Sequence, residues 1–140
     1  MPMWPARNGC IALVRLLLAH PDILPNAASL WGTTPLLTAC EQGQRKTVAL
    51  LIDHTRLDIN AADRRGRTPL MAAAGNGHRA IVRQLLRRRE TASDLIDWAG
   101  LGAIDYAVRS GHYTIAGLIL QRGVLRSVAQ LWAISYFLLN

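Results

Sequence analysis

The stretch GRTPLMAAAGNGH, residues 66–78, decides how this chain folds. Thr68 can accept a hydrogen bond from a free backbone N–H at a helix start. Pro69 suits the first helical turn, because the N–H that proline lacks would have no partner there. The stretch therefore predicts a helix from Pro69 to Asn76, and Gly77 ends it by adopting the left-handed conformation that commonly follows a helix.

A second helix is predicted directly after this glycine, from Arg79 to Arg88. Its apolar residues recur at helical spacing and form one buried stripe, namely Ile81, Val82, Leu85 and Leu86. Upstream of the stretch, Asp63 to Gly66 match a type I turn, with Asp at the first position and Gly at the fourth. The structural unit is thus a turn, a short helix, a second helix and a loop.

The features of this unit recur at intervals of 34 residues. The columns in this register include Gly9, Gly43, Gly77 and Gly111; Gly32, Gly66 and Gly100; Ala39, Ala73 and Ala107; Val14, Val48, Val82 and Ala116; and Asn26, Asn60 and Asp94. One helical pair cannot bury its apolar face alone, whereas stacked copies cover one another. The sequence therefore predicts an all-α solenoid of stacked helix–turn–helix units with short β-hairpin or turn fingers.

The repeated unit resembles the ankyrin repeat. Residues 66–78 follow the family's G-x-T-P-L-H-x-A-A-x-x-G-H core, with Met71 where the family often has His, and residues 81–86 follow its I-V-x-x-L-L second helix. The interval of 34 is one residue longer than the usual ~33 and is similar to that in arrays of large fungal multidomain ankyrin proteins. The resemblance implies a module that binds a partner protein and has no catalytic activity.

The repeat register predicts the domain organisation. We expect one ankyrin-repeat array over residues 1–124, with a partial repeat over 1–25 and repeats over about 26–58, 59–92 and 93–124. In the last repeat Gly102-Ala103-Ile104 replaces Thr-Pro-Leu, so its first helix should be less well capped. The partial first repeat suggests a fragment of a longer array.

The segment 125–140 departs from the repeat pattern. Its apolar residues Leu125, Val128, Leu131, Trp132 and Leu138 can form one helical face. We expect a C-terminal helix that caps the last repeat. A partner-binding helix and an aberrantly translated sequence are the alternatives.

Composition and charge limit the remaining function classes. The net charge is +7 and 15 of the 16 basic residues are Arg, a balance that favours acidic partners. No window reaches the ~18–20 apolar residues of a membrane span, and the N-terminus lacks the pattern of a secretory signal. We therefore expect a monomer without membrane contact in the cell interior, either cytoplasmic or nuclear.

The four histidines do not form a catalytic or metal-binding motif. His78 and His112 share one repeat position and His20 and His54 share another, which favours structural roles such as a hydrogen bond to a neighbouring loop. No phosphate-binding loop, nucleophile motif or zinc-binding motif is present in the sequence. We expect no enzyme activity, no cofactor and no metal.

The candidate binding residues follow from the resemblance. In ankyrin proteins the finger tips and the exposed side of the first helices line a concave binding surface. The residues expected to contact a partner protein here are Leu30, Trp31, Arg64, Arg65, Arg67, Met71, Trp98, Leu101, Asp105 and Arg109. Trp and Arg are strongly enriched at binding hot spots. The alternative for each Trp is that it folds down onto the adjacent finger.

A basic stripe is predicted on the second helix of the third repeat, where Arg79, Arg83 and Arg87 are spaced four residues apart. A solvated outer face explains such a stripe, although like charges at this spacing repel by a few tenths of a kcal/mol. One alternative function is therefore the binding of nucleic acid or an acidic surface through an Arg-rich face. The sequence contains no recognised nucleic-acid-binding fold that would support binding of nucleic acid. The other alternative is a regulatory or spacer arm of a larger multidomain protein.

Overall fold

The computed structural model describes residues 11–123, and the regular elements within this range are helices. The helices are α1 Ile11–Leu18, α2 Pro35–Gln42, α3 Arg45–Ile52, α4 Pro69–Gly75, α5 Arg79–Leu86, α6 Ala103–Arg109 and α7, whose described part is 113–123. Over the same range β-type pairing is limited to one isolated bridge, between Ile96 and Gly102. The predicted all-α repeat fold is confirmed. The predicted capping helix over 125–140 lies outside the described residues.

The helices repeat at the predicted interval. The first helices α2, α4 and α6 begin at Pro35, Pro69 and Ala103, each 34 residues after the last. The second helices α3, α5 and α7 begin at 45, 79 and 113, with the same interval. Helix α4 contacts both α2 and α6, and α3 contacts both α1 and α5, so the pairs are stacked. The two helices of the third repeat end slightly earlier than predicted, at Gly75 and Leu86, which is the usual variation at helix ends.

Threonine caps begin two of the first helices. The Thr34 hydroxyl accepts a hydrogen bond from the Leu37 N–H at 3.2 Å, and the Thr68 hydroxyl accepts one from the Met71 N–H at 3.3 Å. Gly102 has no side chain with which to cap α6, as the sequence predicts. The cap is partly replaced, because the carboxylate of Asp105 accepts a hydrogen bond from the Gly102 N–H at 2.8 Å.

The core combines an alanine column and large residues such as Leu37 and Leu70 on the first helices with branched aliphatic residues on the second helices. Ala39, Ala73 and Ala107 are completely buried, as are Val48 and Val82 at equivalent second-helix positions, together with Leu51 and Ile81. The alanine column lets neighbouring first helices approach closely, because a methyl group needs little space. The larger residues on the second helices fill the space between the two layers.

Candidate partner-binding surface

Three turns precede the first helices, and we name them finger 1 (29–33), finger 2 (63–67) and finger 3 (97–101). In each, the first residue's N–H donates to the fifth residue's carbonyl, at 2.9 to 3.0 Å. The first side chain also accepts bonds from the N–H groups of the third and fifth residues: Ser29 in finger 1, Asp63 in finger 2 and Asp97 in finger 3. Each turn is therefore held by its own side chain, as Asx and Ser turns are.

Backbone hydrogen bonds join the fingers into a row. The Arg64 N–H donates to the Trp31 carbonyl at 3.0 Å, and the Trp98 N–H donates to the Arg65 carbonyl at 2.9 Å. Gly32 has a positive φ of 77°, and a Cβ at this position would lie 2.9 Å from the Arg64 nitrogen. Glycine is required here both for the turn and for the close approach of the next finger.

The row presents large apolar side chains to solvent. Leu30 is 82% exposed, Trp31 77% and Trp98 83%. Neither Trp is buried by the adjacent finger, although Trp98 Cδ1 would lie 3.3 Å from a Cβ at Gly66 in finger 2. Arg64 and Arg65, at the tip of the middle finger, are exposed as well. The predicted combination of apolar and cationic tips thus lies on one continuous row of turns.

Other predicted residues lie in less accessible positions. The prediction for Met71 is wrong, because this residue is 1% exposed and its Sδ lies 3.4 Å from the Thr68 N–H at the start of α4. Arg67 is half-buried and forms ion pairs with Asp63 at 3.3 Å and Glu41 at 3.6 Å. It therefore links finger 2 to α2, in addition to any contact with a partner.

The remaining three candidates lie in the fourth repeat. Leu101 is half-buried at the base of finger 3, whereas Asp105 and Arg109 are exposed on α6. Asp105 also caps its own helix, so its carboxylate already has one backbone partner. Arg109 is exposed, and its positive charge also contributes to lowering the pKa of Asp97 in finger 3.

One contact beside the fingers was not predicted from the sequence. The Tyr106 hydroxyl donates to the Asp97 carboxylate at 2.5 Å. This bond and the N–H donor of Leu101 lower the pKa of Asp97, while burial and the bond to Asp97 raise the pKa of Tyr106 to about 12. The signal in the sequence is Tyr106 itself, a large residue in the column where the preceding repeat has Ala72. Its ring lies next to Gly75 on the neighbouring helix, where an added Cβ would be 3.3 Å from the ring.

Polar side chains also link neighbouring repeats behind the fingers. A ring nitrogen of His78 lies 3.1 Å from the Glu41 carbonyl, which confirms the predicted structural role for this histidine. The Asn60 amide donates to the Glu90 carbonyl at 2.7 Å and accepts from the Ala92 N–H at 2.8 Å. Asn26 makes the equivalent pair of bonds one repeat earlier. These bonds fix the repeats relative to one another and hold the row of fingers in register.

A comparison with protein-family models identifies the repeats. A model for ankyrin repeats in three copies matches residues 3–95 and 55–127. This chain belongs to the ankyrin-repeat family. Ankyrin repeats are generally protein–protein interaction modules, and the family is typically non-enzymatic. A search of curated proteins gave no match. Over residues 11–123, no helix of this ankyrin-repeat protein is long and apolar enough to cross a membrane, and no three or more His, Cys, Asp or Glu side chains are grouped so as to hold a metal ion.

Proposed function

We propose that this ankyrin-repeat protein binds a partner protein through its row of fingers and the exposed side of α2, α4 and α6. The observation that carries the proposal is the exposure of Leu30, Trp31 and Trp98 on turns that backbone hydrogen bonds hold together. Burying one Trp removes ~150–250 Å² from water, which contributes about 4–6 kcal/mol before the costs of association. Because the fingers are already ordered, little conformational entropy is lost on binding.

The surface also indicates the character of the partner. Arg64 and Arg65 lie between Trp31 and Trp98 in the row and are exposed. A partner segment that combines apolar side chains with carboxylates would match this sequence of tips. We further propose that the protein is an intracellular monomer that has neither a cofactor nor catalytic activity. The resemblance to the arrays of fungal multidomain ankyrin proteins stays a prediction.

The proposal is tested by affinity capture with the tagged chain of residues 1–140, followed by quantitative mass spectrometry. Wild type is compared with the double variant Trp31→Ala, Trp98→Ala. The matched control is Tyr113→Ala, which removes an aromatic side chain that is 70% exposed on α7, away from the fingers. We expect at least one protein that wild type and the control retain and the double variant loses. If all three variants capture the same proteins in equal amounts, the fingers are not the binding surface.

A further inference from the structure

The second-helix side of the molecule carries a charge pattern that the repeat does not produce. Arg79 and Arg83 lie on α5, and Arg87 directly follows this helix. At the positions 34 residues before and after Arg83 the chain has Ala49 and Gly117. We name the three arginines the arginine ridge. Small residues occupy the equivalent positions of both neighbouring repeats only for Arg83, whereas Arg79 has an arginine, Arg45, at the equivalent position of the preceding repeat.

A shallow cavity that is open to solvent lies on each side of the arginine ridge. The one between α3 and α5 has a volume of about 500 Å³ and is lined by Arg45, Arg79, Ala80, Arg83, Gln84 and Arg87. The other, of about 260 Å³, lies between α5 and α7 and is lined by Arg83, Leu86, Arg87, Leu118, Gln121 and Arg122. Arg83 and Arg87 line both cavities, so an occupant of either one meets the ridge.

The ridge has no acidic partner within the described residues. Arg79, Arg83 and Arg87 are exposed and, over residues 11–123, form no ion pair, and the same is true of Arg45 across the larger cavity. By contrast, Arg88 is paired with Asp53. No Asp or Glu occurs in α3, α5 or the described part of α7. The like charges repel one another, and an anion bound along the ridge would relieve that repulsion.

The length of the ridge indicates the kind of anion. From Arg79 to Arg87 the helix rise gives ~12 Å, and successive arginines are ~6 Å apart. Directly after Arg87, Arg88 is paired with Asp53, and Glu90 is exposed two residues further on. The ridge itself offers three guanidinium groups, fewer than the about 6–10 phosphate contacts that give a DNA-binding protein its affinity. A short acidic peptide segment needs only a few such contacts.

The spacing of the ridge also fits a peptide. In an extended chain, side chains on the same face recur every ~6.6 Å, close to the ~6 Å between successive arginines. A helical partner would need apolar surface to pack against, and α5 has no exposed large hydrophobic residue. We propose that the arginine ridge, with Arg45, is a second binding surface that takes a short acidic segment of a partner protein in extended conformation, with carboxylates at alternate positions.

The test uses the full chain and a fluorescent peptide of four Glu-Ser repeats, with the corresponding Gln-Ser peptide as the neutral probe. Fluorescence anisotropy measures binding to wild type, to Arg83→Gln with Arg87→Gln, and to Arg64→Gln with Arg65→Gln. Both double variants remove two exposed positive charges, but only the first removes them from the ridge. We expect the ridge variant to bind the acidic peptide about tenfold or more weakly than wild type, which corresponds to about 1.4 kcal/mol, and the finger variant to bind it as wild type does.

Two further probes distinguish other anions, namely a short DNA duplex and vesicles that contain phosphatidylserine. If wild type binds either the DNA or the vesicles more tightly than the acidic peptide, and the ridge variant loses this binding, the ligand of the ridge is not an acidic peptide and the proposal is overturned. Equal losses in the two double variants would show attraction to net charge alone and would also overturn it, as would the absence of acidic-peptide binding to wild type. None of these results depends on Trp31 or Trp98, so the ridge and the fingers are tested separately.

Discussion

The first helices of the third and fourth repeats, α4 and α6, occupy equivalent positions but are stabilised differently. Helix α4 begins with a Thr-Pro cap, and its residues from Pro69 to Ala74 are all buried. Helix α6 begins at Gly102-Ala103, and only Ala103 and Ala107 are fully buried. The repeat consensus therefore determines the central helix, whereas the degenerate helix depends on polar contacts that the consensus does not contain.

The aspartates of the two fingers show the same contrast. Asp63 and Asp97 occupy one column and hold their turns through the same backbone bonds. The second carboxylate oxygen of Asp63 pairs with Arg67, whereas that of Asp97 accepts from Tyr106. The turn is thus a property of the repeat, while the partner that supports it differs between repeats. The contrast can be tested by making matched changes in both.

The largest expected effect comes from truncating the core. Leu70→Ala removes a side chain that is 2% exposed on α4 and should cost about 2–5 kcal/mol of unfolding free energy. Ile104 is the equivalent residue on α6 and is only partly buried, so Ile104→Ala should cost roughly half as much. Urea denaturation followed by circular dichroism measures both. Equal losses would mean that the fourth repeat is packed as well as the third.

Glycine substitutions at the end of the first helices should have a smaller effect. Gly43 and Gly111 have φ values of 74° and 78°, so alanine is strained at both, by about 1–2 kcal/mol. At Gly43 the new Cβ would also lie 2.6 Å from the His78 ring and disturb its bond to Glu41. Among the described residues nothing lies within 4 Å of a Cβ at Gly111.

We therefore expect Gly43→Ala to destabilise the protein by about 1 kcal/mol more than Gly111→Ala does. Thermal and urea denaturation of the two variants measure this difference. Equal destabilisation would show that the histidine between the repeats contributes nothing to stability.

Restoring the consensus cap should stabilise the fourth repeat. Gly102 has extended backbone, φ −94° and ψ 178°, close to that of the capping residue Thr68. A Cβ at Gly102 would make only ordinary contacts, at 3.5 Å or more. Gly102→Thr should therefore raise the unfolding free energy by a few tenths of a kcal/mol through the cap, in addition to the gain that any residue other than glycine brings by restricting the unfolded chain. Gly102→Val is the control of similar shape without the hydroxyl, and an equal gain in both would exclude capping as the cause.

The contact between Asp97 and Tyr106 should make stability depend on pH. Because the pKa of Asp97 is lowered below its usual 3.8 by the Tyr106 hydroxyl, its contribution is present above pH 3.8 and is lost as the pH falls through the folded value. Tyr106→Phe should therefore be less stable than wild type at pH 7, and the two should converge in more acidic solution. Urea denaturation across this range measures the difference, and a constant gap would contradict the assignment.

The sequence predicted the features that the repeat itself encodes. The glycine and alanine columns gave the period, and the Thr-Pro pairs gave the helix starts, because each depends on local backbone chemistry. Met71 was assigned wrongly because it was counted among the exposed positions of the first helix, whereas it is the third residue of α4 and its thioether packs against the Thr68 cap. The Tyr106 contact was missed since it joins residues nine positions apart across a turn, and no periodic pattern reports such a pair.

The proposed binding surface depends most on a row of fingers that is ordered before a partner binds. The Arg64 and Trp98 N–H groups make the two backbone hydrogen bonds between fingers, and hydrogen exchange followed by NMR reports on each amide directly. We expect both amides to exchange much more slowly than the Arg65 amide, whose bond is to the Asp63 side chain of its own turn. Exchange of Arg64 and Trp98 at the rates of an unstructured peptide would show that the fingers are not joined, and the proposed binding surface would not exist before a partner arrives.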